Sequence, residues 1–237
     1  MLILALDTTT RAGSVAVLDD DRVIAVVHGD PERTHGERLP SEMHSALQQA
    51  GRAAKDLDLL AVASGPGAFT GLRIGLAAVQ GLAMVLQVPA IGVSALDALA
   101  AAALEAASPA PQIIAPWMDA ARGEVFAARH TVRDGTWLES FEGARVATPE
   151  VVIATMPSGE FARAAFIGDG ASKYRHVLMR CSGGTATILE TPAALAPSIG
   201  RIGRGRALQG QAGPPHALQP LYVRRPDAEL ARQDRKV

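Results

Sequence analysis

Asp7 ends the apolar run LILALD and is followed by Thr8, Thr9 and Thr10. An acid and several hydroxyls at the end of a buried strand could organise Mg²⁺ and phosphate in a cleft. The same groups could instead close a turn, with threonine hydroxyls capping backbone groups and Asp7 accepting nearby N–H bonds. The second candidate is SGPGAFTGLR, which begins at Ser64. Gly65 and Gly67 allow backbone close to a ligand, Thr70 can cap the following helix, and a helix N-terminus attracts anions. A tight strand-to-helix turn is the plainer alternative. A P-loop is excluded, because Gly71 is followed by Leu72 and Arg73 rather than by Lys and Ser/Thr. Arg73 could still hold a phosphate or a partner's carboxylate.

Other chemistries find little support. His28, His35, His44, His130, His176 and His216 contain no i, i+4 pair of the kind that binds zinc on a helix, and no cysteine lies beside them. No metal site is expected. There is no G-x-S-x-G elbow to suggest a serine nucleophile. The single cysteine, Cys181, excludes an intrachain disulfide, fits a reducing compartment, and reads as a small hydrophobe.

The elements that would position these residues follow from periodicity. LILALD, GSVAVLDDD and RVIAVVHGD are three strand-like runs parted by polar turns, a β-meander. Leu39, Met43 and Leu47 mark one face of a helix over 39–50, with Pro40 acceptable in its first turn. LDLLAVASGPG is a strand with a glycine-rich end. A helix over 70–86, a strand over 89–93 and an alanine-rich helix over 94–107 complete a first half. ASPAPQ punctuates the chain, dividing it into 1–107 and 108–237. Beyond it the pattern restarts as strand, Asp119, turn, Gly123, strand, a hairpin turn at Asp134 and Gly135, and strand. Asp7 stands six residues before Gly13 and Asp119 four before Gly123. This spacing predicts an internal duplication, hence a two-lobed α/β protein with Asp7 and Asp119 facing each other across a cleft. The second half continues with a helix over 149–154, a strand at AFIGDGA and a helix over 191–208.

The helix after Thr70 has almost no polar face. Such a helix is buried on all sides. One lobe's sheet covers one side; the other needs the 39–50 helix or another chain. Leu39, Met43, Leu47, Leu72, Arg73, Leu76 and Val79 are therefore candidate interface residues. The chain has 23 basic and 24 acidic residues, which argues against a protein that coats nucleic acid. From Arg201 onward it has eight basic residues against Asp227, Glu229 and Asp234, a local +5 that could touch RNA or remain a solvated tail. MLILALDTTT lacks a basic n-region, and Gln80, Gln87 and Pro89 interrupt the apolar stretch 75–93, so a cytoplasmic chain with no membrane span is expected.

ALDTTTRAGSVAV, SGPGAFTGLRIGLAAVQGLA, VPAIGVSALDALA, MDAARGEVFAA, IGDGA and LQPLYVRRPDA occur in this order. Together they resemble the TsaB family, formerly YeaZ, over nearly the whole chain. The resemblance implies a duplicated two-lobed fold of the actin, Hsp70 and sugar-kinase type (ASKHA). It also implies similarity to TsaD, the catalytic subunit that places threonylcarbamoyl on the adenosine beside the tRNA anticodon. Ala95 and Leu99 stand where TsaD relatives carry their metal-binding histidines, and DAARGE lacks a glycine-rich phosphate turn. The implied role is a non-catalytic subunit that dimerises alone, pairs with TsaD through first-lobe helices, receives the ATPase TsaE and meets tRNA through the complex. Asp7, Thr8, Thr9, Gly65, Gly67 and Asp119 would form a vestigial nucleotide cleft. No cofactor would be required, though ATP or ADP with Mg could bind weakly. An ATP-using enzyme of the same fold and a glycoprotease-like metallopeptidase are the competing expectations.

Overall fold

The computed structural model describes residues 1–134, 136–137, 143–157 and 159–224. Its first sheet contains β1 (Leu2–Asp7), β2 (Ser14–Asp19), β3 (Arg22–His28), β4 (Leu59–Gly65) and β5 (Ala90–Ser94), in the order β3-β2-β1-β4-β5. The meander pairs antiparallel, while β1–β4 and β4–β5 are parallel. Every residue of β1 is buried. Successive side chains of a strand point to opposite faces. Leu4 and Leu6 accordingly enter the core beneath α1 (His35–Gln49) and α2 (Phe69–Leu86), while Ile3 and Ala5 enter the core shared with α3 (Ala95–Ala106) and α7 (Ala196–Leu208).

The second sheet repeats the plan with β6 (Ile113–Asp119), β7 (Val125–Ala127), β8 (His130–Arg133), β9 (Thr136–Trp137), β10 (Arg145–Ala147), β11 (Ala164–Ile167) and β12 (Thr187–Ile188). Its order is β10-β7-β6-β11-β12, with β8 beside both β6 and β9. The strand next to β6 is broken into β7 and β8 opposite Pro116. Proline has no N–H for the ladder. Three short helices, α4 (Pro149–Ala154), α5 (Asp169–Lys173) and α6 (Arg175–Cys181), complete this half. Of the expected hairpin turn, Asp134 has φ +49° and Gly135 lies outside the described residues.

The long helices tie the two sheets together. Residues of α3 share a core with Ile114, Met118 and Ile167 of the second sheet. Helix α7 returns to the first: Gly200 packs under Leu18, and a Cβ on Gly203 would lie 2.9 Å from that of Ala61. A division at residue 107 thus separates the sheets but not the packing units. Asp97 of α3 reinforces the junction, receiving His130 Nε2 of β8 at 3.1 Å and Arg206 of α7 at 2.8 Å.

Several boundaries differ from expectation. Helix α1 starts four residues early because the Glu37 carboxylate reaches back to Thr34, accepting from its N–H and hydroxyl at 2.8 and 2.7 Å, while the Glu37 N–H donates to the Thr34 carbonyl at 3.2 Å. Pro40 therefore lies inside the helix rather than in its first turn; the carbonyl it leaves unpaired is that of exposed Gly36. Helix α7 starts at Ala196, not 191, and α5 and α6 were not legible in the sequence.

Candidate functional site

The first-lobe turn is closed on itself. Asp7 is 2% exposed. Its Oδ1 accepts from the Thr9 N–H at 2.8 Å and the Thr9 hydroxyl at 2.5 Å, and Oδ2 accepts from Thr10 at 3.1 Å. The Thr10 hydroxyl in turn accepts from the Gly13 N–H at 3.1 Å. Thr8 is fully buried, and its hydroxyl has no hydrogen-bond partner. His35 closes the other side, with Nε2 3.0 Å from the Thr10 carbonyl and Nδ1 2.9 Å from an Arg38 nitrogen. Burial lowers the pKa of His35, and the Arg38 charge adds to the shift.

The glycines of the second candidate make room for the chain itself. A Cβ on Gly65, where φ is +116°, would lie 2.7 Å from the Leu221 carbonyl oxygen. One on Gly67 would collide with Thr9, one on Gly71 with the Thr8 carbonyl, and one on Gly75 with the Thr8 hydroxyl. These residues let the glycine turn and α2 seat on the β1–β2 turn and on the C-terminal segment. The Cβ side of Gly65 is thus filled by Leu221 and that of Gly67 by Thr9, while Gly67 and Thr9 also face the cleft between the lobes.

A cleft of about 640 Å³ does lie between the lobes. Thr9, Gly67 and Asp119 line it; Asp7, Thr8 and Gly65 lie behind its wall. The acids on the cleft wall are Asp119 and Asp169, and Asp7 is not among its lining residues. Asp119 accepts from the Ala121 N–H at 3.1 Å and from Lys173 at 2.8 Å. Asp169 accepts from the N–H groups of Asp119 and Gly170 at 3.0 and 2.8 Å. Burial raises the Asp169 pKa and the Asp119 charge adds to it, against those two N–H groups. The quoted IGDGA contains Asp169, but only the pairing of β11 with β6 brings it to Asp119. Phe69, Leu72, Met118, Phe126 and Leu221 make much of the wall apolar. Among the described residues, no group of three or more His, Cys, Asp or Glu side chains could hold a metal ion.

The proposed contact residues are mostly elsewhere than expected. Leu39, Leu47, Leu72, Leu76 and Val79 are buried, and Met43 packs against the same core. The lobe covers the buried ones with its own sheet and helices, while Met43 remains half-buried. Helix α2 is apolar on two opposite faces, and only one is covered. Its outer face leaves Phe69 44%, Met84 63% and Val85 80% exposed. Arg73, also exposed, lies 3.9 Å from the Phe69 ring centroid, and its Nε donates to the Tyr222 hydroxyl at 2.9 Å. By length and composition this helix could cross a membrane, with mean hydropathy 1.6, but its inner face is built into the lobe.

The basic stretch is partly neutralised. Arg201 pairs with Glu105, Arg204 with Asp20 and Asp21, Arg206 with Asp97, and Arg224 with Glu124. Arg225, Arg232, Arg235 and Lys236 lie outside the described residues.

Two sheets of identical strand order, each an antiparallel meander continued by parallel strands, flank one cleft and exchange long helices. That is the duplicated ASKHA architecture of actin, Hsp70 and the sugar kinases. The family model for TsaD, tRNA N6-adenosine threonylcarbamoyltransferase, matches residues 26–206. The Escherichia coli tRNA threonylcarbamoyladenosine biosynthesis protein TsaB is 39% identical over 165 residues, 68% of this chain and 69% of that protein. The Bacillus subtilis TsaB is 36% identical over 135 residues, 57% of each. The structure of YeaZ from Pseudomonas aeruginosa superposes with a TM-score of 0.75 at 29% identity, covering 93% of this chain and 99% of that one. The chain belongs to the TsaB (YeaZ) family.

Proposed function

We propose that this chain is a non-catalytic subunit in threonylcarbamoyladenosine modification of tRNA, docking on a TsaD-type catalytic subunit through the outer face of α2. The uncovered apolar face carrying Met84 and Val85 carries this reading. Exposed apolar surface of this kind marks an interaction site. The reading gains support from Asp7, whose carboxylate is engaged by its own turn, and from Gly65 and Gly67, which pack against the chain. The subunit works without a required cofactor, in the cytoplasm. Alone it forms a homodimer through the same face. A TsaE-type ATPase joins the pair, and tRNA is met through the complex.

The test is Met84→Asp combined with Val85→Asp, followed by light scattering alone and with the TsaD-type subunit. Both assemblies should be lost, with thermal unfolding within the range of a surface change, about 0.5 kcal/mol. Leu72→Asp, by contrast, should unfold the lobe, because it buries an unpaired charge. Persistence of dimers in the folded double variant would remove α2 from the interface. A second reading, an ATP-using enzyme, draws on the cleft with Asp119 and Asp169. Titration with Mg-ATP decides it: tight binding abolished by Asp119→Ala would favour the enzyme.

A further inference from the structure

We infer that residues 218–224 form a latch that holds the two lobes together across the cleft and opens at its second-lobe end. The segment is fixed firmly to the first lobe. The Leu218 carbonyl accepts from Gln80 at 3.2 Å, and the Leu221 N–H donates to the Ser64 carbonyl at 2.6 Å. The Leu221 carbonyl fills the space above Gly65. The Tyr222 ring stacks on Phe69 with centroids 5.5 Å apart.

The described polar hold on the second lobe is one side chain, while Val223 packs against the core that contains Met118, Ala120 and Phe126. Arg224 donates to the Ala120 carbonyl at 2.7 Å and to the Glu124 carboxylate, and its guanidinium lies 5.8 Å from the Phe126 ring centroid. Ala120 and Glu124 belong to the turn that follows Asp119, closed by the Ala120 N–H to the Glu124 carbonyl at 3.0 Å. Leu221 to Arg224 all line the cleft. The latch thus runs from the glycine turn of one lobe to the Asp119 turn of the other.

The two ends differ in strength. The first-lobe end combines a backbone hydrogen bond, an aromatic stack and a close backbone seat on glycine. The second-lobe end has no backbone–backbone bond among the described residues; it rests on the packing of Val223 and on the Arg224 side chain, whose ion pair with Glu124, 23% and 32% exposed, is open to screening by salt. Release therefore happens at Arg224, leaving the segment on the first lobe. A molecule approaching Gly65 from its Cβ side has to displace Leu221. This inference stands apart from the partner reading, since it concerns the isolated chain.

Amide hydrogen exchange on the full chain tests it, comparing the native protein with Arg224→Gln and Glu124→Gln. Each variant should speed exchange at residues 119–126 by about three- to ten-fold, the range for losing one partly exposed ion pair. Residues 64–72 and 221–222 should keep native protection. Added 0.5 M NaCl should reproduce the change in the native chain and add nothing in the variants. Native exchange at 119–126 in both variants would overturn the latch. So would loss of protection spread evenly through the core strands, which would make the pair a general stabiliser.

Discussion

At the end of β1, Asp7 is enclosed and holds its own turn through the Thr9 N–H and two threonine hydroxyls. At the end of β6, Asp119 lies on the cleft wall and is held by Lys173, itself half exposed. The first turn is pressed under α2, so Gly71 and Gly75 give way to Thr8; nothing lies within 4 Å of a Cβ on Gly123 in the second. Duplication supplied the same strand end twice, and packing then assigned the copies different work. A glycine-rich turn and a strand-terminal acid are insufficient evidence of a ligand when the chain itself can fill the space.

Substitutions can break or sharpen this contrast. The largest effect is expected at Asp7. Asp7→Ala strands a buried N–H and two hydroxyls and should cost about 3 kcal/mol in urea unfolding. Asp119→Ala should cost less than about 1 kcal/mol, since its ion partner is exposed. Equal costs would remove the distinction between the turns. Gly75→Ala comes next. Its methyl group meets the Thr8 hydroxyl, and overpacking should cost about 2 kcal/mol despite the better helix propensity of alanine. Gly123→Ala should cost about 1 kcal/mol, from its φ of +80° alone. Calorimetry on the two variants checks the order.

The smallest effect is a pH dependence. Burial raises the Asp169 pKa, so the folded state holds that proton more tightly than the unfolded chain. Its stabilising contribution is complete below the ordinary carboxylate range and is lost as pH rises through the raised value. Asp169→Asn should therefore melt higher than the native chain at pH 7, with the difference shrinking as pH falls toward 3. An unchanged difference across that range would mean that the native carboxyl does not titrate abnormally.

Much of the architecture was legible from local pattern. LILALD, the two meanders and the Asp–Gly spacings announced the repeated sheet, because strand alternation and turn residues act over a few positions. The closing contacts were not. Nothing near Gly65 in sequence reveals Leu221, and nothing in SIGRIGRG says which sheet α7 will meet. Small residues signal close approach without naming what approaches. For the same reason Leu72, Leu76 and Val79 read as partner contacts, although α1 and the sheet cover them, while the uncovered Met84 and Val85 went unremarked. Arg201, Arg204 and Arg206 read as available charge because their carboxylate partners lie roughly a hundred residues or more away in sequence.

The return of α7 to the first sheet has a consequence for synthesis. Leu18, Ala61, Ile91 and Val93 are finished surfaces only when Gly200 and Gly203 arrive. A ribosome making this chain releases β1 to β5 and α3 long before α7 exists, so the leading half must wait, one apolar face covered only in part by α3, for the trailing helix. Vectorial folding cannot complete the lobes one after the other. A nascent chain stalled before residue 196 should present the uncovered part of that sheet to trigger factor or Hsp70-type chaperones, and one released after residue 208 should not.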